Sequence, residues 1–156
     1  MPTPTYTPLA TVTLASTTGT ITFSSIPATY RDLILICQYT NDSNPLVRFN
    51  SDSGSNYSYV RMLGTGSTTA SDVSVSQSGL AIATGSATGG QTSIVQIMDY
   101  SATDKHKTAL IRNGLASTNV NASGNRWANT AAITSVTLQI GTFGIGSTFS
   151  LYGVIS

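Results

Sequence analysis

The chain has 156 residues, 40% hydrophobic and only 8% charged, with a formal net charge of +1 at pH 7. That length suits a single domain whose core needs neither disulfides nor a metal. Near-neutral charge gives no pull toward nucleic acid or an acidic membrane, and the hydrophobic content argues against disorder.

All six acids are Asp, and Lys105 and Lys107 are the only lysines. Ser, Thr, Asn, Asp and Gly, all weak helix formers, dominate the polar residues. Thr, Val, Ile, Tyr and Phe suit strands. No segment approaches the roughly 18 apolar residues of a membrane-spanning helix. The N-terminus has no basic region followed by an apolar run, so no signal peptide is expected.

Residues 1–8 hold Pro2, Pro4 and Pro8 among threonines. They read as an extended N-terminal arm, either frayed or docked on a neighbouring subunit, ahead of a single domain over 9–156. Residues 9–15 and 20–23 alternate apolar and polar around a short turn at 17–19, the pattern of a hairpin. Residues 26–29 break that pattern and lead into Leu33, Ile34, Leu35, Ile36 and Cys37, five apolar residues in a row. A strand with one buried face would alternate, so this one is expected to be central and covered on both sides.

The turn formers at 41–45 close it, and a strand over 45–50 and a tight turn at 51–56 follow. Residues 57–63 alternate, with Tyr57, Tyr59 and Arg61 on one face and Ser58, Val60 and Met62 on the other. Residues 64–72 and 84–92, rich in Gly, Ser, Thr and Ala, read as surface loops. Between them, 73–83 gives two short strands around Ser78 and Gly79, or one bulged strand. Residues 93–100 read as a strand buried on both faces. The segment 102–107 is a charged loop, and 108–117, 125–129, 133–140 and 147–155 complete the strands. About nine to eleven short strands with turns between them predict an all-β fold. An antiparallel, jelly-roll-like β-sandwich fits best.

Catalytic chemistry finds little to stand on. His106, the only histidine, sits between two lysines in a solvated loop, a poor place for a general base. One His and one Cys do not make a zinc site, and Cys37 reads as a small core residue. Asp42 and Asp52 lie in turn sequences that explain them by side-chain to backbone bonding. Asn50, Asp52 and Asn56 are a candidate calcium loop that lacks the EF-hand spacing. No cofactor, no metal and no enzymatic activity are expected. Tyr57, Tyr59, Trp127, Tyr100 and Tyr152 either stack on a sugar or fill the sandwich, the second being the commoner role of strand aromatics. Arg31, Asp32, Arg61 and the pair Arg126–Trp127 are interface candidates.

Several stretches share one pattern. They are Tyr6-Thr7-Pro8-Leu9-Ala10-Thr11, Ile26-Pro27-Ala28-Thr29-Tyr30-Arg31-Asp32-Leu33, Val47-Arg48-Phe49-Asn50, Gly54-Ser55-Asn56-Tyr57-Ser58, residues 129–138, and Leu151-Tyr152-Gly153-Val154. Together they resemble small virion structural proteins of tailed bacteriophages, common in aquatic phages, over nearly the whole chain. Residues 64–92 depart from that pattern. The resemblance implies a β-sandwich, self-association and a place in the virion, and it brings no catalytic residues.

The expected function is therefore a capsid decoration (cement) protein, a homotrimer that bridges subunits of the major capsid protein. Pro4, Tyr6, Pro8, Arg61, Arg126 and Trp127 are the candidate interface. The alternative is a tail-fibre or tail-tip module, partnered by tail proteins, that binds a host glycan through Tyr57, Tyr59 and Trp127.

Overall fold

The computed structural model describes residues 4–115 and 118–155. The strands are β1 (Tyr6–Thr13), β2 (Thr18–Phe23), β3 (Asp32–Asn41), β4 (Leu46–Phe49), β5 (Tyr57–Gly64), β6 (Thr69–Gln77), β7 (Leu80–Ala81), β8 (Ala87–Met98), β9 (Lys107–Leu115), β10 (Asn119–Trp127), β11 (Val136–Phe143) and β12 (Thr148–Val154). Every pairing is antiparallel. The fold is the all-β, jelly-roll-like antiparallel β-sandwich that the composition predicts.

The larger sheet runs β6-β5-β10-β9-β8-β3-β12-β1, and the smaller runs β7-β4-β11-β2. Among the described residues a single pairing, Phe143 with Asn41, joins them edge to edge. Between the sheets lies one apolar core. Leu33, Leu35, Cys37, Val95, Ile97, Ile111, Phe149 and Leu151 come from the larger sheet; Ile21, Phe23, Val47, Phe49, Val136 and Leu138 come from the smaller. The backbone of Gly153 lets the Tyr30 ring lie flat on β12, since a Cβ there would sit 2.3 Å from the ring.

Four expectations are corrected. First, β1 and β2 are not a hairpin. β1 pairs with β12 and β2 with β11, so the alternating N-terminal strands find partners in the C-terminal pair. Leu14 donates to Ser147 and accepts from Gly146, which pins the crossover between the sheets. Local alternation specifies a strand but not its partner.

Second, the expected arm is extended, but Tyr6, Thr7 and Pro8 already belong to β1, in register with Val154, Gly153 and Tyr152. Pro4 and Thr5 precede them, and residues 1–3 lie outside the described residues. Third, 64–72 and 84–92 are not wholly loops. β6 begins at Thr69 and β8 at Ala87, because ladder bonds to β5 and β3 recruit this backbone despite the modest strand propensity of its Gly and Ala residues. The stretch 73–83 divides into β6 and β7, while the end of the strand expected over 108–117 falls outside the described residues.

Fourth, β3 and β8 are not covered on both sides. Leu33, Leu35 and Cys37 are fully buried, but Ile34 and Ile36 between them are only half-buried; Ile94 and Met98 stand likewise on β8. The larger sheet has an apolar outer face that none of the described residues covers.

Candidate interaction surface

The residues singled out for chemistry mostly turn inward. Trp127 and Tyr57 are 1% exposed and stack on each other, their rings 6.2 Å apart at 17°, with Phe49 edge-on to Trp127. Trp127 donates its indole N–H to Asp52 Oδ2 at 2.7 Å. Tyr57 Oη accepts from Phe49 N at 3.0 Å, and burial pushes its pKa up to about 12. Tyr100 is also buried. The aromatic platform expected for a glycan is thus corrected at Tyr57 and Trp127: both lie in the core. Trp127 is likewise no interface residue. Its neighbour Arg126 points the other way, as alternation requires, and is exposed.

The candidate calcium loop is spoken for by protein donors. Asp52 accepts from Gly54 N at 2.8 Å and Asn56 Nδ2 at 2.9 Å as well as from Trp127. Burial pushes its carboxyl up, but the donors Trp127, Asn56 and Gly54 and the Arg48 charge hold it below the ordinary range. Asn50 instead ties residues 132–135, donating to Ala132 O and accepting from Thr134 N, both at 2.8 Å. Among the described residues, no group of three or more His, Cys, Asp and Glu side chains is placed to hold a metal.

Arg61 is held within its own sheet. It grips Asp72 with two bonds, one of them 3.0 Å from Nε, and lies 5.1 Å from the Tyr59 ring centre. Asp32 joins Arg31 Nε at 2.9 Å and accepts Asp99 N at 2.9 Å, so that pair braces the chain. His106 is exposed in its loop, but Lys107 beside it is not. Lys107 is buried, its ammonium donating to Lys105 O and Thr130 O, both at 3.0 Å, and burial lowers its pKa. The charged loop is therefore only partly solvated.

One end of the interior is polar, which the sequence reading missed. Asn121 donates to Asn113 Oδ1 at 3.0 Å, Asn113 donates to Gln91 Oε1 at 3.0 Å, and Gln91 donates to Asn41 Oδ1 at 2.5 Å. This line of amides crosses β10, β9, β8 and β3 on the inner face. All four side chains are buried, and a buried amide costs little only when it is paired.

The outer face of the same strands is the opposite case. Register puts Leu110, Gly124, Val60 and Val73 in one row across β9, β10, β5 and β6. The next row holds Arg112, Ala122, Met62 and Ser71. Val75 and Val120 flank them. From Leu110 at 52% to Val73 at 69%, these apolar side chains are more than half exposed. The charges on this face are Arg112 and Arg126, and among the described residues neither forms an ion pair. Isolated exposed valines are ordinary, but a contiguous patch marks an interaction site.

No family model matches the chain, and no curated protein matches it. Among solved structures, it is similar to a crystal structure of exo-inulinase from Aspergillus awamori, at 12% identity and a TM-score of 0.39, over 97% of this chain and 29% of that one. The chain thus spans under a third of that protein's length.

The outer face did leave a trace in the sequence. Strands apolar on both sides, in a sheet with one side open, carry apolar residues beyond what the core uses. Val60 and Met62 sit opposite Tyr57 and Tyr59 on an alternating strand, and only the structure shows that the tyrosine side faces inward.

Proposed function

We propose that this chain is a non-enzymatic structural protein of a bacteriophage virion, acting as a capsid decoration protein. The observation that carries the proposal is the uncovered apolar outer face around Val60, Met62, Val73 and Leu110. A protein that works by chemistry gathers polar groups in a cleft. Here the polar groups are spent inside, in the amide line and the Asp52 turn, and the open surface is broad and apolar. Such a surface gains free energy by docking. A protein that docks across assembled capsid subunits, and not on free ones, stabilises the shell by linkage.

The interface residues expected from the sequence are revised accordingly. Arg126 stays, Arg61 and Trp127 leave, and Val60, Met62, Val73 and Leu110 enter. Pro4, Tyr6 and Pro8 remain candidates, since all three are exposed. Tail-borne glycan binding loses its stacking residues Tyr57 and Trp127 and keeps only the half-buried Tyr59.

The test is the position of the protein in whole particles, by cryo-microscopy or gold labelling. Many copies spread over the head are expected. Label confined to the tail would replace decoration by a tail role, and absence from the particle would end the virion reading.

A further inference from the structure

The outer face is self-complementary, and we propose that its occupant is a second copy of this chain, packed face to face about a two-fold axis. The inference rests on the reading of that face as a docking surface and names its partner; contact with the capsid then falls to surfaces outside the pair, for which the exposed Pro4, Tyr6 and Pro8 are the candidates. Along β10 the face is a trough floored by Ala122 and Gly124. At Gly124 a Cβ would meet nothing within 4 Å. Beside the trough, Val60 and Met62 of β5 form a ridge, each directly opposite one of those small residues in the register.

An axis parallel to the strands, between β5 and β10, exchanges these two strands across the interface. Val60 of one copy then stands over Gly124 of the other, and Met62 over Ala122. The same operation brings β9 over β6, so Leu110 meets Val73. Sheets that meet this way sit about 10 Å apart with interdigitating side chains, as in a sandwich core.

Charge agrees with this placement. Arg112 shares its row with Ser71, and Arg126 shares its row with Ser58. Under the proposed axis each arginine faces the serine of its own row in the other copy, and no two arginines oppose one another. Area agrees as well. The six strongly exposed side chains present on the order of 600 Å², the upper end for a monomer. With the exposed Arg112 and Arg126 on the same four strands, the face reaches the roughly 800 Å² per partner of a standard interface. A three-fold ring would need two different complementary surfaces on each copy, whereas one surface suffices for a pair. The proposal thus replaces the expected trimer by a dimer.

Sedimentation velocity on the full chain across a concentration series tests this. A monomer–dimer equilibrium is expected. Val60→Lys and Gly124→Leu, both at exposed or open positions, should abolish the dimer while leaving the far-ultraviolet spectrum and urea midpoint unchanged. Ile145→Ser, at an exposed apolar site off this face, should leave the dimer intact. Ser71→Glu is the sharper variant. Two strands separate it from Arg112 within one copy, but the axis brings them together, so dissociation should tighten roughly two- to fivefold.

A monomer at every concentration, a trimer mass, or a dimer indifferent to Val60→Lys and Gly124→Leu would overturn the proposal. If the chain is monomeric and Val60→Lys still empties it from particles, the docking surface stands and the second copy falls.

Discussion

Trp127 on β10 reaches across to the turn before β5 and donates its indole N–H to Asp52 at 2.7 Å. The same carboxylate closes that turn through Gly54 and Asn56. One acidic residue thus fixes both a loop and the orientation of the chain's single tryptophan. Asp52→Ala should cost about 1–3 kcal/mol, the penalty for stranding a buried donor. Urea denaturation followed by Trp127 fluorescence measures it directly.

The same site sets a pH dependence. The folded Asp52 carboxyl lies below its ordinary value of 3.8, so its contribution is fully present above that value. It is lost as pH falls through the lowered folded value, because the unfolded chain then binds the proton more readily. Asp52→Asn keeps an acceptor but removes the charge. Its urea midpoint should fall less than that of the parent between neutral pH and about pH 3. Equal losses in both proteins would remove Asp52 from the explanation.

Asn113 holds the middle of the amide line, donating to Gln91, to Thr92 O and to Ser93 while accepting from Asn121. Asn113→Leu leaves several buried polar groups unpaired, at about 1–3 kcal/mol for each. A drop of about 3 kcal/mol or more in unfolding free energy is expected. A neutral result would mean that water or rearranged amides replace the lost bonds.

The strands were largely legible in the sequence, because β-formers bounded by turn formers leave few other readings. Partners were not. β1 and β2 look like a hairpin locally, yet β12 pairs with β1 and β11 with β2, each in a different sheet, which no local pattern reveals. The five apolar residues of β3 were legible as a central strand, but they were read as evidence of a covered sheet. Among the described residues nothing covers that outer face. Trp127 and Arg126 show the remaining difficulty. They are neighbours with opposite fates, and composition alone does not say which face of a strand turns inward.

Cys37 gives a simple check on the core. It is fully buried, and burial pushes its thiol pKa well up. A thiol held neutral and out of reach is inert. A disulfide exchange reagent should therefore label it only at the rate of unfolding, with that rate rising in urea. Fast labelling of the native protein would contradict the packing of β3 against the smaller sheet.

The most direct test of docking through the outer face is oxidation footprinting of Met62, in the free monomer and in intact particles. Met62 is 66% exposed in the isolated chain. If this face is the working surface, Met62 should be readily oxidised in the monomer and strongly protected in the particle, with exposed Ile145 labelled equally in both. Equal modification of Met62 in monomer and particle would contradict docking through this face.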